Sequence, residues 1–241
     1  MTSPHPDREL GNASAAAGET ASGETLAAPA GDAPGGPEAA ADGAYSPKRQ
    51  VAARDEASLA LVILRDVAVA SVLLSLFAAA EAWATVSRLA LASLLSVVDG
   101  LLVGVATNAL AHEWGHFVGA RLGGGHAPLK PLTKFLPLYD FDYANNDNRA
   151  FLWMSYGGNL AHAAVVLIYL VLVPTRSMGT AALVAGAFGF AVFSSLVELP
   201  VIQQARRGVP GLEALAVIPR DFVSRYLPWA IAAAFAAYVV L

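Results

Sequence analysis

His112, Glu113 and His116 stand in the order His-Glu-x-x-His. On a helix the two imidazoles lie one turn apart on the same face, where both can bind one zinc ion, while Glu113 sits beside them to take a proton from zinc-bound water. His112 and His116 are therefore the expected metal ligands, Glu113 the expected catalytic base, and Zn2+ the expected cofactor. The stretch that holds them, residues 101–118, is strongly apolar. Two histidines and a glutamate are costly in hydrocarbon unless they are paired or bound to metal, which gives the motif more weight here than in a soluble helix.

A catalytic zinc usually takes three protein ligands and keeps one position for water. The chain has no cysteine, which excludes disulfides, thiolate sites and cysteine nucleophiles and leaves nitrogen or oxygen for the third ligand. Glu198 is one candidate, as the only carboxylate inside a later apolar run, with Pro200 expected to loosen the helix just beyond it. Its plainer role is an interfacial pair with Arg206 or Arg207. Asp140 and Asp142 are further candidates, although their acidic loop, followed by Asn145, Asn146, Asp147 and Asn148, suits a solvated turn better than a calcium loop. His162 is the fourth. Gly157-Gly158-Asn159 puts small residues where helices can approach, with Asn159 and His162 on adjoining turns. These two are candidates for contacts to a substrate carbonyl or a developing oxyanion, the alternative being a satisfied polar pair in helix packing. Asn108, one turn before His112, either orients that imidazole or makes an interhelical hydrogen bond.

The elements that must carry these residues are membrane helices. The 241-residue chain is 56% hydrophobic and 14% charged, with mean hydropathy +0.53, against a charged fraction of about 25% in soluble domains. A net charge of -4 gives no support to nucleic-acid binding. Runs long enough to cross a bilayer, about 20 residues each, occur at 67–86, 101–120, 151–173, 180–202 and 222–241. Residues 59–66 either extend the first span or lie at the interface, and Arg65, Asp66 and Glu81 fit poorly in a single crossing. Residues 89–98 are candidate first turns of the second span, with Asp99-Gly100 as a break, and Gly123-Gly124-Gly125 is a strong stop. Pro174 marks a short turn that should make the third and fourth spans antiparallel neighbours. The expected fold class is all-α: a polytopic bundle of about five transmembrane helices behind a disordered tail.

That tail, residues 1–54, is rich in Ala, Gly, Pro and Ser and cannot bury enough surface to order itself. The first apolar run begins only after Arg54, so no cleaved secretory signal is expected. Residues 55–241 form the expected functional domain. Lys48, Arg49 and Arg54 precede the first span; Arg121, Lys130, Lys134 and Arg149 separate the second from the third; Arg206, Arg207, Arg220 and Arg225 separate the fourth from the fifth. The opposite loops hold little more than Arg88 and Arg176. The positive-inside rule then predicts a multi-pass protein with a cytoplasmic amino terminus. Counted from these basic residues at about 1.5 Å per residue, the motif histidines lie about 7 to 14 Å deep, Glu198 about 12 Å and residues 157–162 about 12 to 20 Å. Three helices bring polar residues to one level.

With these residues in view, the chain resembles the site-2 protease family of intramembrane zinc metalloproteases. The resemblance covers about 101–204 and is strongest from Asn108 through His112-Glu113-Trp114-Gly115-His116 to Gly123. Gly158-Asn159-Leu160-Ala161-His162 is similar to the family's Gly-Pro-x-x-Asn stretch, with Asn159 at the proline position and His162 at the asparagine position. In the fourth span the family carries Asn-x-x-Pro followed by Leu-Asp-Gly, whose aspartate completes the zinc site. No Asp-Gly follows Pro200, and Glu198 stands in a different register. The resemblance implies hydrolysis of a peptide bond of a membrane-embedded substrate near its cytoplasmic end. The missing element motivates an alternative, a non-catalytic scaffold of the same fold that binds metal or client helices. A zinc hydrolase acting on lipid is a third possibility.

Overall fold

The computed structural model describes residues 58–241, and the expected tail, its boundary at 54/55, and Lys48, Arg49 and Arg54 lie outside the described residues. Five helices are long and apolar enough to cross a membrane: α1 (Leu59–Ser87), α2 (Ala90–Leu122), α3 (Asn148–Leu172), α4 (Met178–Arg206) and, after the short α5 (Gly211–Ala214), α6 (Phe222–Val240). The architecture is an all-α membrane bundle. Among the described residues the only β feature is a bridge between Leu129 and Tyr139.

Sequence sets most of the helix ends. α2 stops in a Schellman turn: Gly124 takes φ +83, and the Gly125 and Gly124 amides bond back to the Ala120 and Arg121 carbonyls at 2.8 and 3.1 Å. Asp147 caps α3 by accepting from the Ala150 amide at 2.8 Å, and Ser177 with Thr180 forms a capping box on α4. The helices of the α3–α4 pair, joined through Pro174, pack against each other as expected.

The expected break at Asp99-Gly100 is corrected, because α2 runs unbroken from Ala90 to Leu122. Gly100 is there for space: a Cβ would stand 2.5 Å from the Gly179 carbonyl oxygen of α4. Gly104 is pressed in the same way onto Leu183 and Ala187, and Gly186 onto Leu101, so α2 and α4 cross backbone to backbone. Lipid tails are as apolar as leucine, so burial alone gives no drive for helices to associate within the bilayer, and close packing of small residues takes over that role.

α2 lies at the centre, packed on α1, α3 and α4, while α6 leans on α4. Their outer faces carry exposed Leu160, Val171, Trp229 and Val240, which suits hydrocarbon. The largest core cluster sits at one end of the bundle. There Ala127, Leu129, Leu138 and Tyr139 of the α2–α3 segment close over Val62, Phe117, Phe151, Met154 and Val201. Arg65 and Asp66, awkward in a hydrocarbon crossing, are used at this same end. Arg65 pairs with Asp66 at 2.7 Å and donates to the Leu132 and Lys134 carbonyls, and Asp66 accepts from Trp114 Nε1 at 2.9 Å.

Candidate metal centre

His112 and His116 project from one face of α2 toward α4, as their four-residue spacing requires. There they meet Glu198. Its Oε1 stands 2.9 Å from His112 Nε2 and 3.0 Å from His116 Nε2, and the two Nε2 atoms are 3.0 Å apart. Among the described residues these three make up the cluster able to offer ligand atoms to one ion. Ligand atoms about 2.0 to 2.1 Å from one tetrahedral zinc stand roughly 3.3 Å apart, so this triangle needs to open by only a few tenths of an ångström. An all-nitrogen-and-oxygen donor set of two imidazoles and a carboxylate fits such an ion.

The remaining polar atoms around the triad run in one consistent direction. His116 Nδ1 lies 2.8 Å from the Met154 carbonyl oxygen, which accepts only, so the ring donates there and leaves the Nε2 lone pair free. His162 Nδ1 lies 3.3 Å from His112 Nδ1, and its Nε2 is 3.2 Å from Ser195 Oγ. Ser195 donates to Asn159 Oδ1 at 3.4 Å, and Asn159 Nδ2 donates to Glu198 Oε2 at 2.6 Å. With His112 donating from Nδ1 and His162 from Nε2, every link is satisfied. His112 Nε2 then keeps its lone pair and Glu198 stays a carboxylate. Among the described residues Ser194 Oγ, 3.2 Å from His112 Nε2, is the one further hydroxyl at the ligand atoms.

These contacts bring one of the third-ligand candidates to the histidines and leave the others outside the cluster. Glu198 faces the histidines, not Arg206 or Arg207. His162 lies beside the cluster and not in it: its ring is 5.3 Å from that of His112 between centroids and meets the Nδ1 edge. Asp140 is outside it as well: it is 71% exposed and paired with Lys130 at 3.0 Å. Asp142 builds the predicted solvated turn, accepting from the Asn145 side chain and the Ala144 and Asn145 amides, with the Asn145 bond foremost in holding its carboxyl below the ordinary range. Asn108 does not orient His112; it donates to the Ala187 carbonyl at 2.7 Å, which is the interhelical alternative. Asn159 spends its amide hydrogens on Glu198 and on the Ser155 carbonyl. Neither is turned to open space.

Glu113 is half-buried on α2, and its Oε2 accepts from the Leu138 amide at 3.4 Å. Nearby Tyr139 is held above its ordinary range by burial first and by Glu113 second, so its phenol stays neutral. Sequence reading missed Ser195, the Met154 carbonyl and the Leu138 amide. Ser194 and Ser195 had a signal, since they precede Glu198 by four and three residues and so share its face. The backbone groups had none.

No family model, curated protein or solved structure matches the chain.

Proposed function

We propose that this chain is an intramembrane zinc metalloprotease of the site-2 protease type, hydrolysing a peptide bond of a membrane-embedded substrate near its cytoplasmic end. The observation that carries this reading is the meeting of His112, His116 and Glu198 within 3.0 Å, beside Glu113, at the end of the bundle where the basic loops lie. Glu198 then supplies the ligand that the missing Asp-Gly element would have supplied. Bound zinc provides a Lewis acid, which makes water reactive near neutral pH and polarises a carbonyl. Glu113 accepts the proton of the attacking water and passes it to the leaving amine, with the Leu138 amide steadying its carboxylate. Asn159 and His162 act through the ligands, the first holding Glu198 and the second holding His112. Arg121, Lys130, Lys134, Arg149, Arg206 and Arg207 favour the cytoplasmic side for this end, and with it a cytoplasmic amino terminus.

One observation favours a second reading. The three ligand atoms also stand at hydrogen-bonding distance, as they would in a metal-free scaffold whose imidazoles carry protons on Nε2 and donate to Glu198 Oε1. Co-expression with single-span candidate substrates, joined to metal analysis of the purified protein, separates the two. A protease yields stoichiometric zinc that is lost in Glu198→Ala, and cleavage that is lost in Glu113→Gln with zinc retained. Cleavage surviving Glu113→Gln removes Glu113 as the base, and wild-type protein without zinc leaves the scaffold.

A further inference from the structure

At the opposite end of the bundle, α1, α2 and the start of α4 enclose a cavity of about 320 Å³ lined by Glu81, Thr85, Ser93, Ser96, Arg176 and Ser177. Ser96 is roughly 24 Å from His112 along α2, so the cavity is separate from the triad. Its polarity is out of keeping with its neighbours; the cleft between α4 and α6, for example, is walled by Leu101, Val105, Phe190, Phe193 and Leu227.

Glu81 lies about 9 Å inside the end of α1 and accepts a hydrogen bond from Ser96. A hydroxyl brings no positive charge, and among the described residues no cation stands within ion-pair distance of Glu81. Arg176 lines the same cavity and likewise forms no ion pair among the described residues. Gly179 lets the α4 backbone close on Ser96 and the Glu81 carboxylate, where a Cβ would meet both. Thr85 and Ser93, which line the cavity beside it, spend their hydroxyl protons on the Glu81 and Leu89 carbonyls at 2.9 and 3.3 Å and so keep lone pairs to accept with.

We propose that this cavity binds the headgroup of a phospholipid carrying both a primary ammonium and a phosphate, of the phosphatidylethanolamine kind. The ammonium donates to Glu81 and to the Thr85 and Ser93 oxygens, while the phosphate accepts from Arg176. A trimethylated headgroup has no N–H to give these acceptors, and a glycerol headgroup has no charge for Glu81. A lipid is the source of this chemistry because the helix ends beside the cavity expose Trp83, Val86 and Leu89 to the bilayer, where acyl chains can lie along them.

The test is lipid retention by the full-length protein, purified in mild detergent after equilibration with vesicles of equal parts phosphatidylethanolamine, phosphatidylcholine and phosphatidylglycerol, and read by mass spectrometry. Wild type should retain the ethanolamine lipid about tenfold over either competitor, the ratio expected for one charge-assisted hydrogen bond. Glu81→Gln, which can still bond Ser96, should bring the ratio close to one with helicity unchanged, because only the ammonium sets the three lipids apart. Arg176→Ala, on an exposed loop, should leave the ratio as it is and lower the lipid retained about tenfold, because all three carry the phosphate. If Glu81→Gln does not fold, the wild-type ratio and the loss of retention in Arg176→Ala decide. Equal retention of the three lipids by wild type, a preference untouched by a folded Glu81→Gln, or retention untouched by Arg176→Ala overturns the proposal. Displacement of the lipid by micromolar phosphoethanolamine would assign the site to a soluble ligand and overturn it as well.

Discussion

Glu198 presents one oxygen to the two histidines because its other oxygen is already held. Asn159 grips Oε2 at 2.6 Å, Ser195 turns the Asn159 amide, and His162 links Ser195 to His112, so two of the three triad members are oriented by one chain of hydrogen bonds. Outer partners of this kind typically change metal affinity by about 10- to 100-fold. Asn159→Ala should therefore weaken zinc binding about tenfold in a chelator competition assay while leaving zinc stoichiometry at saturation and the far-ultraviolet circular dichroism unchanged. A role for Asn159 confined to a substrate would lower cleavage and leave zinc affinity where it was.

Between elements, glycine decides what touches what. Gly115 of α2 and Gly157 of α3 meet backbone to backbone, and Gly158 lies under the His116 ring, where a Cβ would come within 2.7 Å of Nδ1 and Nε2. That ring cannot slide freely, because Nδ1 is tied to the Met154 carbonyl. Gly158→Ala should push His116 out of register, and zinc measured on the purified variant should fall well below one per chain. α1 reaches the site by another route. Asp66, 3% exposed, accepts from Trp114, the residue after Glu113, and its neighbour Arg65 holds the carbonyls of Leu132 and Lys134, a few residues before the Leu138 amide that meets Glu113. Asp66→Ala leaves a part-buried indole N–H without its acceptor, a loss of about 1 kcal/mol. It should lower the denaturation midpoint and shift Trp114 fluorescence, and an unchanged midpoint would show that this tie carries no load.

Across the whole molecule the polar chemistry is divided between two ends. The triad, the basic loops and the 123–147 cap share one end, and the Glu81–Arg176 cavity occupies the other. Under the proposed orientation, with a cytoplasmic amino terminus, five crossings put Leu241 on the far side. A carboxyl-terminal alkaline phosphatase fusion should be active and a green fluorescent protein fusion dark in a bacterial host; the reverse pattern would turn the bundle over and place the triad at the other surface.

The spans were legible because about 20 apolar residues leave few alternatives in a chain this poor in charge, and Gly123-Gly124-Gly125 marked the end of α2, whereas the caps at Asp147 and Ser177 came to light only in the structure. His112, Glu113 and His116 were legible because their spacing is local to one helix turn. By itself the sequence thus determined the element type, the number of crossings and two of the three triad members. Only the tertiary structure set Glu198, and not His162, Asp140 or Asp142, in the cluster with His112 and His116, sent Asn108 to Ala187, and ran α2 straight through Asp99-Gly100. Each of those outcomes depends on where a second helix crosses the first. That crossing is set by the closest approach of small residues such as Gly104 and Gly186, a three-dimensional fit in which residues 82 positions apart, His116 and Glu198, come within 3.0 Å.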